Sequence, residues 1–124
     1  MTNSQTTNNQ NKFDLEPRTL NFTKNIIKLC KILPFDNINS VLINQIIRSS
    51  ASVGANYREA NDALSKKDFI HRLRISRKEA KETIYWLQLI NEANQKVDIN
   101  YLVDECSQLR NILSSIITKM ENKL

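Results

Sequence analysis

Glycine, proline and histidine are scarce in this 124-residue chain, which has one, two and one of them. Turn-rich β architectures need far more glycine and proline, so long helices are expected. A single glycine also excludes the glycine-rich loops that cradle nucleotide phosphates. With His71 as the only histidine, a multi-histidine metal site cannot be assembled, and no Glu-x-x-His pair exists for a di-iron bundle. Ser49, Ser50 and Ser52 fall in a helical run without a nucleophile elbow. These absences predict a protein that is not an enzyme and that uses no cofactor or metal. No apolar run approaches the roughly 18 residues needed to cross a bilayer. The first residues lack the basic start and apolar stretch of a secretory signal, so a cytoplasmic protein without membrane contact is expected. Cys30 and Cys106 both fall on apolar helix faces, which favours buried free thiols over a disulfide.

What is present is helical periodicity. Residues 1–12 are nearly all Asn, Gln, Thr and Ser and read as a disordered polar tail, leaving residues 13–124 as one domain. The first helix is expected to start near Pro17 and stop at Leu33 before Pro34, with Phe22, Ile26, Leu29, Cys30 and Leu33 on one face. The second can be capped by Asn39 or Ser40 and run through Ile43, Ile46, Ser50, Val53, Tyr57 and Ala60 to about Ala63. Ser65 to Asp68 reads as a capping box that opens the third, whose seam would be Phe69, Leu73, Ser76, Ala80, Thr83, Leu87 and Ile90. The polar stretch Asn91 to Val97 breaks the pattern. Asp98 then caps a fourth helix with the seam Ile99, Leu102, Cys106, Leu109, Leu113, Ile116 and Met120. Four amphipathic helices with short connections predict an all-α, antiparallel up-down-up-down four-helix bundle.

The formal net charge is +5, and most of it lies in the middle of the chain. Arg48 to Glu82 holds nine Lys/Arg against five Asp/Glu, whereas Thr83 to Leu124 holds four against five. On the third helix Lys67, Arg74 and Lys81 share one heptad row, and His71, Lys78 and Tyr85 share the next. The i,i+4 pairs Asp68 with Arg72 and Lys78 with Glu82 fit an ordinary solvated face. Arg74 with Lys78 and Arg77 with Lys81 are like-charge pairs, each mildly unfavourable in isolation. Lys66, Lys67, Arg74, Arg77, Lys78 and Lys81 are therefore the candidate contacts to RNA or DNA phosphates. The same helix carries apolar residues outside its seam, among them Ile70 and Ile75. Ile84, Trp86 and Leu89 are the candidates for an oligomer interface.

Two features of the second helix have competing readings. Gly54, in the small-residue run Ser49 to Asn56, costs about 1 kcal/mol relative to alanine in a helix. Either close packing against a neighbouring helix or a groove for a partner would repay it, and packing is the simpler. Asn56 and Glu59 could reach Arg or Lys on the third helix in a polar layer that specifies the fold.

The runs Ile47-Arg48-Ser49-Ser50-Ala51-Ser52-Val53-Gly54-Ala55-Asn56-Tyr57-Arg58-Glu59-Ala60 and Ser65-Lys66-Lys67-Asp68-Phe69-Ile70 resemble the signature of the four helix bundle protein family. Arg77 to Leu87 and Asp14 to Thr19 are similar to it as well. That family includes intervening-sequence proteins of large-subunit ribosomal RNA genes and accessory variability proteins of diversity-generating retroelements. The resemblance implies a homopentameric barrel of four-helix protomers. For the retroelement members it further implies a basic surface that binds nucleic acid together with a partner reverse transcriptase. The expectation is therefore a non-enzymatic, basic, oligomeric adaptor for RNA or DNA. The alternative is a homo-oligomeric protein-interaction or structural module without nucleic-acid binding.

Overall fold

A computed structural model of the chain describes residues 14–123, and the polar tail expected over 1–12 lies outside them. The described residues form four helices, α1 (Leu15–Ile32), α2 (Asn37–Asn61), α3 (Lys66–Ala93) and α4 (Asn100–Asn122). Each helix packs against the next in sequence, α2 against α3 most extensively, and α1 meets α4 to close the bundle. That closure is fastened by Arg18, whose guanidinium donates to both carboxylate oxygens of Glu105 at 2.8 Å and to Gln108 Oε1 at 2.9 Å. Hydrogen bonding to Glu105 holds the Arg18 pKa above its ordinary value, against the lowering effect of partial burial.

The first two helices start earlier than the sequence-based expectation, each capped by an aspartate. Asp14 Oδ1 accepts from Glu16 N at 2.9 Å, so α1 begins two residues before Pro17. Pro17 still sits in the first turn, where backbone N–H groups have no intrahelical acceptor. Asp36 caps α2 by accepting from Asn39 N at 2.7 Å, ahead of the expected Asn39 or Ser40. Asn39 is instead buried, and its side-chain amide exchanges hydrogen bonds with that of Asn94 at 3.0 and 2.8 Å. Ser65 caps α3 as expected, its hydroxyl accepting from Asp68 N at 3.0 Å. Although Ile99 occupies the N-cap position of α4, the Asp98 carboxylate accepts from Asn100 N at 2.9 Å. α1 ends on Leu33 in extended geometry, as the residue before a proline should. α3 runs on through Asn91 and Glu92 to Ala93, so only the second half of the expected linker breaks the helix.

The core is made of Phe22, Ile26, Ile46, Val53, Leu73, Leu87, Leu109, Leu113 and their neighbours, all nearly or fully buried. Three seam assignments shift by one position. On α2, Leu42 is buried and Ile43 only partly so, on α3 Ile70 is buried and Phe69 only partly so, and on α4 Ile117 is buried where Ile116 was expected. All three are consequences of the 3.6-residue period, which drifts against a strict heptad near helix ends. Cys30 and Cys106 are free and buried.

The small-residue run of α2 is a polar spine packed from two sides. Thr23 Oγ1 of α1 donates to Ser50 O at 3.0 Å, and Ser76 Oγ of α3 donates to Val53 O at 2.7 Å. The hydroxyls of Ser49 and Thr83 lie 2.8 Å apart in the buried α2–α3 seam. At Gly54 a Cβ atom would come 2.9 Å from Thr19 Oγ1 and 3.2 Å from Thr19 Cβ, so close packing is what the glycine permits. A shallow apolar groove lined by Leu20, Thr23, Ala51 and Ala55 is left beside this contact.

Candidate nucleic-acid interface

The charge on α3 is segregated by flank, because α2 and α4 approach it from opposite sides. The flank toward α2 is set by Thr83, Ser76 and Arg72, which reach Ser49, Val53 and Asn56. Glu79 and Glu82 lie on that flank and both pair with Arg48 of α2. The expected intrahelical pairs of Asp68 with Arg72 and Lys78 with Glu82 are not among the ion pairs of the described residues. Glu82 is taken by Arg48, while Arg72 donates to Asn56 Oδ1 at 3.3 Å. Of the expected polar layer, Asn56 takes part and Glu59 is exposed.

The opposite flank, toward α4, is basic. Arg74, Arg77, Lys78 and Lys81 line a shallow open groove whose far wall is Arg110 and Ser114 of α4. Arg77 reaches Ser114 Oγ at 3.5 Å, and Arg74 pairs with Glu121. Glu121 is thus one carboxylate set against five cations. Among the described residues Lys78, Lys81 and Arg110 have no ion-pair partner. Four of the six candidate cations are therefore brought together. Lys66 and Lys67 are not part of the groove; both are exposed in the first turn of α3, and Lys66 borders the α2–α3 turn beside Leu64 and Met120.

Arg110 was not recognisable from sequence, because α4 carries slightly more acid than base and its isolated arginine signals nothing alone. Only the α3–α4 packing puts it opposite Lys81. Its charge also reaches Cys106, whose thiol donates to Ala80 O at 3.2 Å. Burial pushes that thiol up to about 12, with Arg110 opposing the rise. Burial alone pushes Cys30 up to about 11. Both groups are held neutral and shielded, the opposite of what a nucleophilic cysteine needs.

The three candidate interface residues do not form one exposed patch. Ile84, Trp86 and Leu89 are each half-buried against the protomer's own core. By helical position Ile84 belongs to the α4 flank with Arg77, and Trp86 and Leu89 to the α2 flank with Glu79 and Glu82. The Trp86 indole N–H donates to Glu82 Oε2 at 3.0 Å. Larger exposed apolar surface lies where α1 turns into α2: Ile32, Phe35, Ile38 and Val41 are all well exposed, Phe35 completely.

An antiparallel four-helix bundle with a two-helix basic groove is the class of protein that these features define. Residues 11–115 match the family model of the 23S rRNA-intervening sequence protein, and the chain belongs to that family. It is also similar to the crystal structure of a protein of unknown function from the S23 ribosomal protein family of Bacteroides thetaiotaomicron. The two share 36% identity with a TM-score of 0.73, over 84% of this chain and 95% of that one. No curated protein matches the chain. No helix among the described residues is long and apolar enough to cross a membrane.

Proposed function

We propose that the protein is a non-enzymatic adaptor that binds nucleic acid through the α3–α4 groove. The observation that carries this reading is the convergence of Arg74, Arg77, Lys78, Lys81 and Arg110 on one open surface with a single opposing carboxylate. A solvated face gains nothing from clustering like charges; a polyanion repays it through counterion release. The groove is shallow and open, suited to a phosphate backbone running along it rather than to an enclosed small molecule. A reverse transcriptase as the protein partner rests on the family resemblance alone, as does assembly into a homopentamer. Exposed apolar surface for assembly is offered by Ile32, Phe35, Ile38 and Val41 rather than by Ile84, Trp86 and Leu89, which are half-buried in the protomer. The test is retention of labelled structured RNA and DNA at low and at physiological salt. Binding should strengthen steeply as salt falls, and absence of binding at low salt would leave the alternative of a protein-interaction module.

A further inference from the structure

The groove's cations on α3 stop at Lys81, and the next exposed residue along the helix, on the outer row it shares with Lys78, is aromatic. Tyr85 follows Lys81 by one helical turn and Lys78 by two, so its Cα lies about 6 Å and about 10 Å beyond theirs along the axis. Tyr85 is 55% exposed, whereas its neighbour Trp86 is half-buried against the core. The two rings meet edge to face, with centroids 5.2 Å apart and planes at 67°. Trp86 is itself anchored, because its N–H is bonded to Glu82 and Glu82 is paired with Arg48. Tyr85 is thus an outward aromatic ring held in place by a fixed partner, and little side-chain entropy remains to be lost when something stacks on it.

We propose that Tyr85 is a stacking platform for an unpaired nucleobase at the end of the basic groove, so that the nucleic acid engaged is single-stranded where it leaves Lys81. This rests on the groove reading and narrows it to a substrate class. Bases in a duplex keep their faces stacked on one another, whereas an unpaired base can transfer its face to an aromatic ring next to a basic track. Ribose and deoxyribose strands both satisfy the geometry.

The test uses the full chain with two RNA probes matched in total phosphate number, an unstructured polyuridylate and a perfectly paired duplex, at low salt. The wild type should favour the unpaired strand. Tyr85→Ala should lose roughly tenfold in affinity for it while keeping its duplex affinity, and Tyr85→Phe should behave as wild type. Lys81→Ala combined with Arg110→Ala should weaken both probes. Tyr85 is surface-exposed, and an unchanged thermal melt of each variant confirms that folding is intact. Equal wild-type affinity for the two probes, or no effect of Tyr85→Ala on the unpaired one, would overturn the stacking role while the groove reading stands. Failure of the wild type to bind either probe would overturn both.

Discussion

Gly54 shows how a single residue can decide between two opposed effects. Alanine at this position would gain about 1 kcal/mol of helix propensity. Its Cβ, however, would come 2.9 Å from Thr19 Oγ1, which is bonded to Leu15 O at 2.7 Å and cannot swing away freely. Overpacking costs about 1–3 kcal/mol, so Gly54→Ala should destabilise by about 1 kcal/mol net, and Thr19→Ala in the same chain should recover part of it. Urea unfolding measures both, and a more stable Gly54→Ala would show that α1 moves aside. The buried thiols are a second case. Folding holds Cys30 up to about 11 and Cys106 up to about 12, against roughly 8.5 for a free thiol. Between those values the unfolded chain binds fewer protons than the native one, so this contribution to stability is complete below about pH 8.5 and falls as pH rises. The Cys106→Ala variant should lose part of that alkaline decline. A decline identical to wild type would contradict the burial account.

Among the elements, the helix starts separate what periodicity reveals from what it conceals. The replaced cap of α2 predicts that Asp36→Ala costs about 1 kcal/mol, the usual value of an N-cap. Asn39→Ala should cost more, about 2–3 kcal/mol, because it leaves Asn94 Oδ1 and Pro34 O without the amide that donates to both. The reverse order in denaturant melts would return the capping role to Asn39. Four helices, their order and most of the core were legible because Phe22, Ile26, Leu73, Leu87, Leu109 and Leu113 recur at helical spacing. The caps were less legible because Asp36 and Asn39 are both good cap residues, and only the Asn39–Asn94 contact, 55 residues apart in sequence, assigns one of them to another task. The groove was half legible. Its α3 wall is local and appears as a charge row, whereas Arg110 joins it only through tertiary packing. The split of Ile84 from Trp86 and Leu89 follows from helical position, but which helix covers each of the two flanks depends on tertiary packing.

Assembly and polyanion binding are properties of the whole molecule. Light scattering should return five times the 14.4 kDa protomer mass, and a monomer would contradict the ring. Repeated around such a ring, weak grooves would bind one long strand with enhanced avidity and no new kind of contact. The central claim is that the α3–α4 groove itself contacts phosphates, and the most direct measurement is the salt dependence of RNA affinity in the wild type and in a variant carrying Arg77→Ala, Lys81→Ala and Arg110→Ala. Each phosphate contact contributes about 0.7–0.9 to the slope of log affinity against log salt, so removing these cations should make the slope shallower by roughly two to three per groove engaged. A folded triple variant with the wild-type slope would place the phosphate contacts elsewhere and contradict the account.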